Sequence, residues 1–508
     1  MPNQEFSILI GGRAGYGIDK AGTVISRILN QLGYRQYIYR DYPSLIRGGH
    51  TFSIIRASAK DKIYSHENKV DYILALNQET IDLHRDKLKK DGTILSDPDL
   101  MKEEGREITG NSLLIGSFCR TMGIGWAILE EVFRRSFPRE LEQNLKVARQ
   151  GYDRAQEKVK LEPLKRELLP LLTGNEALGL GLIQGGLNSY VAYPMTPSSA
   201  ILHFLAAHAQ EFSLKVIQPE SEIAVMLMAL GMSYAGERAA VGTSGGGFCL
   251  MTEGLSFSGQ AELPIVIVLG QRTGPSTGLP TYTGQTELHF ALNAGQGEFP
   301  RLILAPGDAE EAYYCAALAL NLAYKHKVPA IIMTDKTVAE GTYNFDLKAI
   351  PQIAEEKPAG IVAKINSYEH DKNGITTEEA AITQSNAEAR LQKGKDLLID
   401  IEKLETVKVY GRKDAPTALL CWGSNKGVCL EVGEKLGMKV IQSLVLSPFP
   451  VEQVKAALSG VNKLISVENN STGQLERLLN QHGFKVDERI LKYDGRPFSL
   501  DELEAGLR

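Results

Sequence analysis

Glu222, Arg272 and the glycine run Gly245–Gly247 are the residues of this chain whose types and surroundings best suit chemistry. Glu222 stands in QPESEIAVMLMALG, where it enters a helix whose next residues, Ile223 to Leu230, are almost all apolar. A carboxylate so placed faces burial, which is tolerated when a ligand nitrogen shares its proton. The same pattern also describes a helix-start acid favoured by the dipole, with Ser221 or Glu220 as cap. Arg272 ends VIVLGQR, the most apolar strand of the chain, and opens a loop of Gly, Pro, Ser and Thr, TGPSTGLPTYTGQTEL. Its planar fork suits a substrate carboxylate, and equally a structural one. In GTSGGG, Thr243 and Ser244 lead into Gly245, where the missing side chain lets backbone approach a ligand closely, or simply turn tightly. Upstream, Tyr193–Ser199 reads YPMTPSS. Pro194 and Pro197 hold an extended turn, Thr196 offers a hydroxyl between them, and Ser198 or Ser199 can cap the next helix. Taken alone, that is also an ordinary strand-to-helix turn.

Nearer the start, Gly11, Gly12, Gly15 and Gly17 fall between the first apolar run and a helical pattern. Such glycines cradle a pyrophosphate at a helix N-terminus or merely pack helix on sheet, and the spacing is not a strict G-x-G-x-x-G. YPSLIRGGHT adds Arg47 and His50 beside Gly48 and Gly49, a set for anion binding or for a basic loop against a neighbouring subunit.

In an open parallel sheet, ligands bind outside the carboxyl ends of the strands, so the elements must bring those ends together. FSILI, SIIRA, DYILAL and GTILS alternate with polar helical stretches, predicting a helix-covered parallel sheet within residues 1–165. QGYDRAQEKVKLEPLKRELLP reads as a helical, charged linker. A second strand–helix series within 166–345 has short apolar strands bounded by Gly and Pro, as central strands buried on both faces require. Residues 346–412 lose this rhythm and predict a long exposed connector carrying the polar helix EARLQKGKDLLIDIEKL. TALLCWGS, KVIQSLVLS and KLISVENN restore it in a small α/β domain over 413–508.

Composition narrows the function classes. Hydrophobic residues make up 43% and charged residues 23% of the 508, as in ordinary soluble globular proteins. A net charge of -5 gives no electrostatic reason to expect a nucleic acid or an anionic membrane as partner. No apolar run reaches the length of a membrane span, and MPNQEFSILIGG lacks a signal pattern, so a cytoplasmic location is expected. Cys119, Cys249, Cys315, Cys421 and Cys429 are scattered without a Cys-x-x-Cys pair. They read as buried thiols, and no metal or iron–sulfur cluster is expected on this chain.

AYPMTPSS, ESEIAVMLMALG, TSGGG and GPSTGLPTYT resemble the thiamine-pyrimidine domain of the 2-oxoacid:ferredoxin oxidoreductase family. WGSNKG, VENNSTGQ and YDGRPF resemble its small transketolase-like domain, and the domain order resembles the family's fused gamma and alpha parts over nearly the whole chain. The resemblance implies a multi-domain α/β fold: a gamma-type domain over 1–165, a doubly wound thiamine-pyrimidine domain over 166–345, a connector over 346–412, and a transketolase C-terminal-like domain over 413–508. It implies coenzyme-A-dependent oxidative decarboxylation of a 2-oxoacid, with 2-oxoglutarate preferred, to an acyl-CoA, carbon dioxide and reduced ferredoxin. Glu222 then matches the glutamate that bonds the aminopyrimidine of thiamine diphosphate, and Thr196 and Arg272 match the positions that hold the substrate carboxylate. Tyr193, Pro194, Thr243, Ser244 and Gly245 fall on its cofactor side, and Gly15, Gly17 and Arg47 are candidates for coenzyme A. GGRAGYG departs from the family's more usual acidic and glycine-rich form.

No Gly-Asp-Gly with a distant Asn, the family's magnesium–diphosphate signature, occurs in the chain. The resemblance therefore assigns Mg2+ and a [4Fe-4S] cluster to a partner beta subunit, in a heterodimer or a dimer of heterodimers. Three other readings stand beside it. Pyruvate, branched-chain or aromatic 2-oxoacids can replace 2-oxoglutarate; the chain can be a non-catalytic scaffold; or the N-terminal glycines with Asp41 can belong to a dinucleotide-dependent dehydrogenase.

Overall fold

The computed structural model describes residues 5–43, 48–97, 107–351, 353 and 366–508, which form two compact units. The first gathers Met1–Leu172, Gly341–Asp346 and Ser499–Arg508. Its sheet runs β5 (Leu88–Leu95), β4 (Val70–Ala75), β1 (Glu5–Arg13), β3 (His50–Ser58), β2 (Arg35–Asp41), then the short strands Thr342–Asn344 and Leu171–Thr173. The expected parallel sheet is corrected to a mixed one: β4 lies parallel to β1 and β5, but β3 is antiparallel to both β1 and β2. The reason is chain length. Only residues 42–49 separate β2 from β3, too few for the dozen or more that a parallel crossover needs.

Helix α1 (Ile18–Gln31) buries Ala21, Val24, Ile25, Ile28 and Leu29, one face of a 3.6-residue period, against Ile8 and Ile10 of β1. The helical reading of residues 150–170 also needs correction. The helix Leu141–Arg154 stops at Arg154, and the chain then runs irregularly along the unit, with Lys158 N donating to the Thr121 carbonyl and Leu164 N to that of Leu32. Pro163 interrupts a helix here, so the stretch bonds a neighbour's backbone while Leu161 packs into the core.

The second unit, Thr173–Glu340 with Leu347–Phe498, holds two sheets. The larger is built from β6 (Ser189–Ala192), β7 (Lys215–Ile217), β8 (Ala239–Ser244), β9 (Ile265–Gln271), β10 (Leu302–Leu304) and β11 (Pro329–Asp335). Their spatial order is β10-β11-β9-β8-β6-β7, all parallel, with Val445–Ser447 antiparallel on the β10 edge. Every residue of β9 and β11 is buried, as the unbroken apolar runs require, and each such aliphatic side chain contributes about 1.5–3 kcal/mol. The smaller sheet has the order β12-β14-β13-β15-β16, from Val407–Gly411, Lys439–Ser443, Thr417–Cys421, Lys463–Glu468 and Glu488–Leu491. One core joins both sheets, running from Val191, Val241 and Ile267 to Trp422 and Ile441.

Four helices of this unit matter below: α2 (Glu222–Tyr234), α3 (Gly245–Ala261), α4 (Leu288–Asn293) and α5 (Ala380–Glu402). Helix α5 lies in the segment expected as an exposed connector, yet Asp400 on it pairs with Lys325 at 3.0 Å and Lys393 with Glu262 at 2.7 Å. Cys249 is exposed, which corrects the uniformly buried reading of the cysteines; the other four are buried. Among the described residues no helix is long and apolar enough to cross a membrane.

Candidate active site

Strand register brings the predicted residues to one edge. Ala192 stands opposite Gly242, Ser244 opposite Gly270, and Gln271 opposite Asp335, so the carboxyl ends of β6, β8, β9 and β11 lie abreast. The segments that leave these ends begin with Tyr193, Gly245, Arg272 and Lys336. That is the crevice where parallel sheets receive ligands.

The Tyr193–Ser199 turn folds onto β9 because Gly270 has no side chain: a Cβ there would lie 2.9 Å from Pro197 Cδ. This contact brings Thr196 to Arg272, whose Nη1 donates to the Thr196 carbonyl at 3.2 Å. Arg272 is 9% exposed, and among the described residues no carboxylate forms an ion pair with it. Burial lowers its pKa from the ordinary arginine value, and the nearby charge of Glu287 opposes the change. Tyr193 is exposed and Pro194 partly buried.

Glu222 is the first residue of α2 and 5% exposed. Ser221 caps the helix, its hydroxyl accepting from Ala224 N at 3.4 Å, so the carboxylate itself is not consumed as a cap. Its side chain makes no hydrogen bond to any described residue. A Cβ on Gly247 would fall 2.7 Å from Glu222 Oε1 and would also run into Thr243 Oγ1, so glycine is what lets α3 pass this close. Beyond Glu222 the helix departs from its expected burial. Ile223, Leu227 and Met228, with Leu250 of α3, are exposed.

Two residues of this edge escaped the sequence reading. Glu287 is 9% exposed, and a Cβ on Gly245 would lie 2.7 Å from its Oε1. Burial pushes its carboxyl up to about 7, with Thr286 and Arg272 opposing and Asp335 adding to the rise. Gln285, fully buried, donates to the Trp422 carbonyl at 2.8 Å and accepts from Asn425 Nδ2 and Asn469 N. An acid placed just before the apolar LHFAL was the one available hint of Glu287.

Gly15 and Gly17 lie in the first unit, with φ of 96° and 72°, and Gly17 starts α1. Arg47 lies outside the described residues. Among the described residues no group of three or more His, Cys, Asp or Glu side chains is placed to hold a metal ion.

A family profile described as pyruvate flavodoxin/ferredoxin oxidoreductase, thiamine diphosphate-binding, matches residues 180–410. One described as pyruvate ferredoxin/flavodoxin oxidoreductase matches residues 7–154. The 2-oxoacid:ferredoxin oxidoreductase subunit alpha of Saccharolobus solfataricus is 30% identical over 99% of this chain and 97% of its own length. The chain belongs to the 2-oxoacid:ferredoxin oxidoreductase family. Its alpha-subunit character extends to the fold. A 2-oxoglutarate:ferredoxin oxidoreductase from Magnetococcus marinus, solved with 2-oxoglutarate, coenzyme A and succinyl-CoA bound, superposes with a TM-score of 0.88 at 26% identity, covering 99% of both chains. The 2-oxoglutarate synthase subunit KorA of Archaeoglobus fulgidus is 29% identical over 60% of this chain and 88% of its own. This oxidoreductase alpha subunit thus carries a thiamine-diphosphate-binding region, and every strand-end residue from Tyr193 to Glu287 falls inside that region.

Proposed function

We propose that this alpha subunit works in the cytoplasm with a beta subunit to convert 2-oxoglutarate and coenzyme A to succinyl-CoA and carbon dioxide, passing two electrons to ferredoxin. The observation that carries the reading is the pair of charged side chains, Glu222 and Arg272, buried at one strand-end edge with no described residue of opposite charge bonded to either. Buried charges without internal partners are costly, and a ligand that offers a shared proton to one and a carboxylate to the other removes that cost.

The residues suit the pyrimidine side of thiamine diphosphate: a buried, unengaged carboxylate beside a glycine whose Cβ would fill the space next to it. Thiamine diphosphate, when bound, supplies a carbon nucleophile and a sink for the electron pair released with carbon dioxide. Glu222 holds a proton at the pyrimidine ring nitrogen. Tyr193, Pro194, Thr243, Ser244 and Gly245 shape the walls of that site. Arg272 and Thr196 grip the substrate carboxylate and orient the bond to be broken, so Arg272 acts by position and not by acid–base work. Gly15, Gly17 and Arg47 are the candidates for coenzyme A contacts, within a gamma-type domain over 1–165. The thiamine-pyrimidine domain is read over 166–345, and a transketolase C-terminal-like domain over 413–508 follows the connector 346–412.

We assign Mg2+ and the [4Fe-4S] cluster to the beta subunit. The open apolar face of Ile223, Leu227 and Met228 on α2 with Leu250 on α3 supports that partnership, since such a patch beside a site marks an interface. The preference for 2-oxoglutarate follows the Magnetococcus and Archaeoglobus relatives. Co-expression with the beta subunit, followed by anaerobic, coenzyme-A-dependent dye reduction with a panel of 2-oxoacids, tests it. Activity with 2-oxoglutarate above pyruvate, branched-chain and aromatic acids is expected. A different best substrate would redirect the specificity, and a loaded complex inactive with every acid would leave the scaffold reading.

A further inference from the structure

Glu287 has no role in the chemistry just described, yet it is locked beside it. Thr286 Oγ1 reaches both the Glu287 Oε1, at 2.8 Å, and the Arg272 carbonyl, at 3.2 Å. The Glu287 backbone N donates to Gln271 Oε1 at 3.3 Å. The carboxyl is thereby fixed behind the strand end from which Arg272 springs, with Gly245 of α3 against its Oε1. Its other oxygen, Oε2, is buried without a hydrogen-bond partner among the described residues. So is the hydroxyl of Ser244, next to Gly245.

A buried carboxylate with one oxygen unbonded is stable as an anion only while a nearby cation compensates it. The charged groups that act on it are Arg272 at the end of β9, which favours its ionised form, and Asp335 at the end of β11, which opposes it. Helix α3 presents Gly245, which has no side chain. His289 on α4 is turned to the Gln474 carbonyl, 3.0 Å away. The compensation therefore rests on Arg272.

We propose that Glu287 is a positioning residue for substrate binding, taking up one proton from solvent as the 2-oxoacid carboxylate settles on Arg272. The proposal rests on Arg272 being the carboxylate clamp. Once a substrate anion engages the guanidinium, the cation no longer offsets Glu287, and two anions flank one cation in a dry site. Protonation removes the repulsion and gives the carboxyl a hydrogen to donate. Burial that already brings this carboxyl to about 7 makes the proton available near neutrality.

The sign follows. At high pH the free enzyme carries ionised Glu287, and binding must pull in a proton, so KM rises with pH. At low pH the proton is already present. The test is KM and kcat for the best 2-oxoacid between about pH 6 and 8.5, with the alpha–beta holoenzyme, for wild type, Glu287→Gln, Glu287→Asp and Arg272→Ala. Wild-type KM is expected to climb toward a limiting slope of about tenfold per pH unit, whereas Glu287→Gln should hold a flat profile and Glu287→Asp should keep a slope. Arg272→Ala should raise KM at every pH. A wild-type KM that does not change across the range would overturn the proposal without any variant. If Glu287→Gln keeps the wild-type slope while Arg272→Ala raises KM, the proposal fails and the clamp stands. If Arg272→Ala leaves KM unchanged, the clamp itself falls, and the proposal with it.

Discussion

Gln285 accepts a hydrogen bond from Asn425 Nδ2 at 2.8 Å, across 140 residues of sequence. Its own amide donates to the Trp422 carbonyl, and Thr283 N donates to the Gly495 carbonyl at 2.9 Å. The loop that follows Arg272 is therefore clasped by WGSNKG, VENNSTGQ and YDGRPF, the motifs of the small C-terminal sheet. A loop rich in Gly, Pro, Ser and Thr has little rigidity of its own, so these bonds supply it.

Cutting the clasp should loosen the clamp without touching the substrate. Gln285→Leu leaves the Trp422 carbonyl and the Asn469 backbone N–H unpaired in a buried place, a cost of about 1–3 kcal/mol for each such group. The expected outcome is a lower melting temperature, faster proteolysis within 273–287, and a KM raised more than kcat is lowered.

Glu222→Gln keeps the volume and removes the acid. Loss of a positioned proton-holding group lowers turnover by about 10²–10⁴-fold. Because Ser221 caps α2, the helix should persist and the melting curve should stay close to that of the wild type. Dye reduction and circular dichroism on the same preparation separate the two.

Gly247→Ala offers a steric counterpart. The added methyl would press on Glu222 Oε1 and Thr243 Oγ1, and overpacking of this kind costs about 1–3 kcal/mol. Activity should fall although every chemical group is still present, and thiamine diphosphate affinity, measured by fluorescence titration of the alpha–beta complex, should weaken.

Acid stability has a separate address. Buried Glu311 bonds Lys408 at 3.0 Å, Lys426 at 2.8 Å and Gln442 at 2.6 Å. Burial alone would raise its pKa, but the two ammonium groups outweigh it and hold the carboxyl below the usual carboxylate range. A folded pKa below the unfolded one gives stability that is present above about pH 4.3 and lost as pH falls below it. Glu311→Ala takes one of two carboxylates from buried Lys426, which keeps Asp308 at 2.5 Å, and should cost less than the about 3–5 kcal/mol of a fully broken buried pair at neutral pH. Melting curves at pH 7 and pH 3.5 should show a wild-type loss on acidification that the variant largely lacks.

The larger sheet of the second unit was legible because strands buried on both faces must be continuous apolar runs, and the residue after each run is then a site candidate by geometry alone. Arg272 and Thr196 became candidates that way. Glu287 was not, since its burial is made by Gly245 and Thr286 and no local pattern encodes it. The mixed sheet of the first unit was missed because apolar alternation carries no strand direction; the short link between β2 and β3 decides it. The outward-facing Ile223, Leu227 and Met228 look like core in a sequence, for exposed apolar side chains and covered ones have the same composition.

The first unit is not one stretch of chain, and that shapes how it can be made. Thr342 pairs with Ile38, Leu500 N donates to the His66 carbonyl, and Asn68 Nδ2 donates to Ser499 Oγ at 2.9 Å. Residues 1–172 therefore leave the ribosome lacking a strand that is translated only after 173–340 of the second unit, and a helix that is translated only after all of it. The early segment must wait, partly assembled and with a sheet edge open, until residues 341–346 and 499–508 close it. Dividing the gene between the units would strand those two pieces with the wrong half.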